Sequence, residues 1–99
     1  MPSIPLTEPE IEQRLQTLNG WSRQGGSIGK VFMLESYVAG LAFATAAGLV
    51  CDGLNHHPDI SIGWKKVQIR FTTHDAGNQL TDLDFKAASA IDGLGYPRA

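Results

Sequence analysis

Hydrophobic positions along this chain fall into segments whose spacing switches between helical and extended periods, and the switches mark out the elements. Thr7-Glu8-Pro9-Glu10 sets a hydroxyl ahead of acidic residues with a proline in the first turn, and Ile11, Leu15 and Leu18 follow at helical spacing. A first helix from about Pro9 to Leu18 is predicted, because the hydroxyl can accept from first-turn amides and proline lacks an amide that would go unpaired there. Asn19-Gly20 ends it. Trp21 to Gln24 and Lys30 to Glu35 carry aromatic and β-branched residues on either side of Gly25-Gly26, which predicts an antiparallel hairpin. From Ser36 the period is helical again, with Tyr37, Leu41, Ala44 and Gly48 on one face and Val38, Ala42 and Leu49 on another. A helix apolar around most of its circumference is expected to pack on two sides, one against the sheet and the other against a second subunit.

Pro58 opposes helical geometry at His57, so this long helix is predicted to stop near Asn55 or His56. Val67, Ile69 and Phe71 alternate with Gln68, Arg70 and Thr72 as in a half-buried strand, and Ile60 to Trp64 supplies its hairpin partner. Thr81-Asp82-Leu83-Asp84 has the form of a capping box opening a last helix that runs through Ile91 and stops at Gly93 and Gly95. The order αββαββα predicts an α+β fold: a four-stranded antiparallel sheet with helices packed on one face.

Composition narrows the classes of function. With 99 residues, no internal repeat and no linker, the chain reads as one domain spanning 1–99. A domain this small buries a limited share of its surface, so a homodimer or homotetramer is expected. The net charge of -2 offers no broad cationic surface for phosphates, which argues against direct nucleic-acid binding or an anionic membrane. The uncharged stretch from Ser36 to Cys51 falls short of a membrane span, and the first residues do not read as a secretory signal. Cys51 is the single cysteine, which excludes an intrachain disulfide and fits a reducing compartment, so the cytoplasm is expected. Within an apolar helix it reads as inert packing.

All three histidines lie close together in the chain: His56 and His57 at a helix end, and His74 just past a strand. Imidazole titrates near neutrality, so a site built from several can donate one proton and accept another without strongly shifted groups. Three imidazoles plus water is also a catalytic zinc set. Adjacent residues point in different directions on regular backbone, however, and no further close-spaced ligand pattern appears, which favours a site with neither metal nor other cofactor. Asp52 stands four residues before His56; on a continuing helix its carboxylate would share a face with that imidazole and orient it, or else remain a solvated helix-end charge.

Asp52-Gly53-Leu54-Asn55-His56-His57-Pro58, then Trp64, then Thr72-Thr73-His74-Asp75 strongly resembles the signature of the pterin-4a-carbinolamine dehydratases. The resemblance extends through Leu18-Asn19-Gly20-Trp21, Phe43, Leu80-Thr81 and Asp84-Phe85, and so covers nearly the whole chain. It implies removal of water from a 4a-hydroxytetrahydropterin to give the quinonoid dihydropterin, in recycling the cofactor of aromatic amino-acid hydroxylases. His56 and His74 are then candidates for acid and base, and His57 for binding or orienting the pterin. By the same resemblance Asn55, Thr72, Thr73 and Asp75 flank the pterin, with Asp52 beside the histidines. Trp21 and Trp64 either wall the flat ring or pack in the core. Between His74 and Asp84 the segment is one residue longer than the family spacing, an insertion the turn is expected to absorb. Asp84 reads more simply as a helix-start residue. Relatives also act as dimerisation partners of a transcription factor, so a protein-binding role is the competing expectation.

Overall fold

Three helices and four strands alternate in the predicted order, and the computed structural model describes them over residues 3–96. Helix α1 (Glu8–Gln16) starts where Thr7 and Glu10 exchange hydrogen bonds. The Thr7 hydroxyl accepts from the Glu10 amide at 3.4 Å, and the Glu10 carboxylate accepts from the Thr7 amide at 2.9 Å. Two amides that the helix leaves unpaired are thereby satisfied. The helix stops at Gln16, short of Leu18, where Thr17 turns its hydroxyl back onto the Arg14 carbonyl at 2.7 Å.

Strands β1 (Ser22–Gln24) and β2 (Ser27–Met33) form the first hairpin through Gly25-Gly26 alone. Strand β2 therefore begins before the predicted Lys30. Gly29 looks like a loop residue but occupies a crowded strand position, where a Cβ would lie 3.4 Å from the Ile69 carbonyl oxygen. Helix α2 (Tyr37–Gly53) is capped by the Ser36 hydroxyl, which accepts from the Ala39 amide at 3.0 Å. Gly40, Phe43, Ala44, Ala47 and Cys51 form its buried face, and at Gly40 a Cβ would come within 3.6 Å of Val67. Small residues on that face let the helix lie close to the sheet.

Strands β3 (Asp59–Gly63) and β4 (Lys66–Phe71) make the second hairpin, and the antiparallel sheet runs β1-β2-β4-β3. Val67, Ile69 and Phe71 are fully buried beneath the helices, while Lys66, Gln68 and Arg70 alternate onto the open face. Ile28, Phe32, Leu80, Phe85 and Ile91 complete the core, with helix α3 (Asp82–Asp92) packed on α2. Each fully buried side chain of this kind contributes about 1.5–3 kcal/mol. The register of the second hairpin matters for chemistry. Asp59 pairs with Arg70 at one end and Gly63 with Lys66 at the other, so the residues before β3 and those after β4 leave the sheet at the same end.

Candidate active site

The end of α2 decides how the first two histidines are presented. Leu54 caps the helix and Asn55 takes the left-handed conformation, φ 54°. The Asn55 amide donates to the Asp52 carbonyl at 3.0 Å and the His56 amide to the Cys51 carbonyl at 3.1 Å, a Schellman closure. Asparagine tolerates the left-handed region better than most residues, so Asn55 acts here as the stop of the helix. Beyond it the chain reverses, sending His56 inward and His57 outward: His56 is buried and the His57 side chain is 61% exposed.

This reversal changes the predicted partnerships. The helix ends at Gly53, so Asp52 does not share a helical face with His56; its Oδ1 instead lies 2.9 Å from His57 Nε2. The partner of His56 is Asp84, whose Oδ1 is 2.6 Å from its Nε2. Asp84 is fully buried, and its Oδ2 accepts from the Thr73 hydroxyl at 2.7 Å and from the Thr81 amide at 2.9 Å. The same carboxylate thus closes the capping box of α3 and holds the histidine. Thr81 in turn donates its hydroxyl to Thr73, at 2.7 Å, and accepts from the Leu83 amide. Among the described residues, no fully buried side-chain N or O lacks a partner.

A carboxylate only accepts, so His56 Nε2 carries a hydrogen and Nδ1 is the nitrogen left for other chemistry. Nδ1 has no partner among the described residues, and therefore reaches the surface. Phe71 holds the ring flat from one side, with centroids 5.8 Å apart and planes 11° apart. Thr73, bonded to Asp84, is followed directly by His74, which opens a single 3-10 turn (His74–Ala76). His56, Asp84, Thr73 and His74 are thereby joined through one hydrogen bond after another and a peptide bond, and His57 with Asp52 adjoins them.

The other predicted residues fall as follows. Thr72 donates its hydroxyl to the Gly26 carbonyl at 2.6 Å, and Asp75 is exposed in the 3-10 turn. Trp21 is buried between Phe32 and Phe71, donating Nε1–H to Asp92 at 2.9 Å, so its ring is part of the core. Trp64 is 73% exposed in the turn between β3 and β4, roughly 15 Å from the histidines at strand rise. Neither indole stacks on a histidine among the described residues, and the Phe71 ring stands between Trp21 and His56. Sequence reasoning passed over Asp84, because its capping position already explained an acid there, and over Phe71, which its alternation assigns to the core. Burial pushes the Cys51 thiol up to about 11, which keeps it protonated and unreactive near neutrality.

Among the described residues no group of three or more His, Cys, Asp or Glu side chains has metal-binding geometry. Recesses of about 370 Å³ beside Ile4 and Leu83 and about 360 Å³ over the open face of the sheet contain no histidine. No helix is long and apolar enough to cross a membrane among those residues.

Comparison with known proteins identifies the family. The family model "Pterin 4 alpha carbinolamine dehydratase" matches residues 4–94. A Roseiflexus sp. (strain RS-1) protein named "Putative pterin-4-alpha-carbinolamine dehydratase" is 47% identical over 90% of this chain and 95% of its own length. One of the same name from Natronomonas pharaonis is 43% identical over 90% and 94% respectively. A crystal structure described as a transcriptional coactivator/pterin dehydratase from Brucella Melitensis superposes with a TM-score of 0.85 at 28% identity, covering 92% of this chain and 98% of that one. Fold and matches together define a hydro-lyase of the pterin-handling class. The chain belongs to the pterin-4a-carbinolamine dehydratase family.

Proposed function

We propose that this protein removes water from 4a-hydroxytetrahydrobiopterin by histidine acid–base catalysis, and so recycles the pterin cofactor of aromatic amino-acid hydroxylases. The observation that carries the reading is the buried Asp84, which fixes His56 from behind and is bonded to Thr73 beside His74. Elimination needs a proton delivered to the leaving oxygen and a proton taken from ring nitrogen N5. His56 and His74 serve these two transfers, and His57, steadied by Asp52, binds or orients the pterin. Asn55, Thr72 and Asp75 border the same end of the sheet and bind the ring through side chain or backbone. Buried Thr73, its hydroxyl spent on Asp84, supports the site from behind rather than touching the ring, and no step calls for a metal. The enzyme works in the cytoplasm as a homodimer or homotetramer.

The test is direct turnover of 4a-hydroxytetrahydropterin, followed by the absorbance of the quinonoid product. His56→Ala and His74→Ala are each expected to lower kcat by roughly 10²-fold or more, the usual worth of a positioned acid or base. Near-normal rates in both would remove the mechanism. A second, protein-binding role is favoured by the exposed apolar residues of α2, Val38 and Leu49.

A further inference from the structure

The turn that carries His74 is held from several sides. The Asn78 amide donates to the Thr73 carbonyl at 3.1 Å, and Thr73 and Gln79 form an isolated antiparallel bridge. The Asn78 carbonyl lies so close to Gly26 that a Cβ there would come within 2.0 Å of it. Gly77 and Asn78 both take left-handed backbone, φ 71° and 60°, which is how the turn accommodates its length. With the backbone fixed in this way, the Asn78 side chain meets the histidine: its Oδ1 is 2.9 Å from His74 Nδ1. An amide oxygen only accepts, so Nδ1 carries the hydrogen, and in the neutral ring Nε2 holds the lone pair.

We propose that Asn78 is a positioning residue, which locks neutral His74 in its Nδ1–H tautomer and so makes Nε2 the proton acceptor of the site. The inference rests on the dehydratase reading above for the proton accepted. As the N5–H bond breaks, its proton passes to Nε2 and its electron pair forms the N5–C4a double bond. The C4a–oxygen bond breaks with its electron pair on oxygen, which takes a proton from the site's acid and leaves as water. His74 then returns its proton to solvent. His56 differs in kind: its Nε2–H is committed to Asp84, so its exchangeable position is Nδ1.

Nitrogen NMR of protein labelled with ¹⁵N-histidine reads the tautomer directly at alkaline pH, where the rings are neutral, with His74→Gln assigning the signal. The expected spectrum shows a protonated Nδ1 and a bare Nε2 on His74. Asn78→Gly accepts the left-handed backbone and removes only the amide. It should move both shifts toward those of exchanging tautomers and lower kcat roughly tenfold, a part of what a base supplies, with KM little changed. Asn78→Asp keeps an accepting oxygen and should retain the wild-type tautomer. A wild-type His74 in the Nε2–H form, or shifts and kcat unchanged in Asn78→Gly, overturns the proposal. Full turnover by His74→Gln would instead sink the acid–base reading while leaving the tautomer assignment in place.

Discussion

Asp84 does two jobs with one carboxylate, and its burial makes both expensive to lose. Replacement by alanine strands the Thr81 amide and frees His56 from its anchor, leaving buried donors unsatisfied. We expect Asp84→Ala to cost about 3 kcal/mol in urea unfolding, the scale of a buried charged hydrogen-bond partner. Asp84→Asn keeps an oxygen for the cap but loses the charge, so turnover should fall further than stability. Equal losses in both would mean that Asp84 acts only as a helix cap. His57 and Asp52 form the opposite case, an exposed pair of small energetic value whose use lies in orientation.

At the scale of the element, termini decide where side chains point. Asn55 stops α2 by a left-handed residue and two reversed hydrogen bonds, and the histidine pair is split inward and outward as a result. Capping also couples α1 to pH. The Thr7 amide, and then its hydroxyl, hydrogen-bond the Glu10 carboxylate and hold its pKa below the usual carboxylate range. A lowered carboxylate pKa adds stability that is present above the unfolded value, near 4.5, and is lost as pH falls through the folded value. Melting curves of wild type and Glu10→Gln should therefore differ slightly near neutrality and converge toward acid. A gap that widens on acidification would contradict this origin of the cap's stability.

For the whole molecule, the exposed stripe of α2 is the feature a single chain leaves unsatisfied. Val38 and Leu49 are 70% and 69% exposed on the side away from the sheet, with Leu41 partly exposed on the flank beside them. Sedimentation at micromolar concentration should show a dimer or tetramer, and Leu49→Lys should shift it toward monomer; a monomeric wild type would refute helix-mediated assembly. The element order and the open-faced antiparallel sheet were legible because periodicity and capping are local: Thr7, Ser36, Thr81 and the alternation of Val67, Ile69 and Phe71 each act within a few residues. Local too was the concentration of histidines. Which carboxylate meets which imidazole was not legible, since Asp84 reaches His56 from another helix and Asp52 loses it to a one-residue change of backbone hand at Asn55. The fates of Trp21 and Trp64 depended likewise on tertiary placement, the first packing between Phe32 and Phe71 and the second falling in the turn at the far end of the second hairpin. Chain-local energetics thus set the elements, while contacts between residues distant in sequence, formed only when the sheet closes under the helices, settled the pairings.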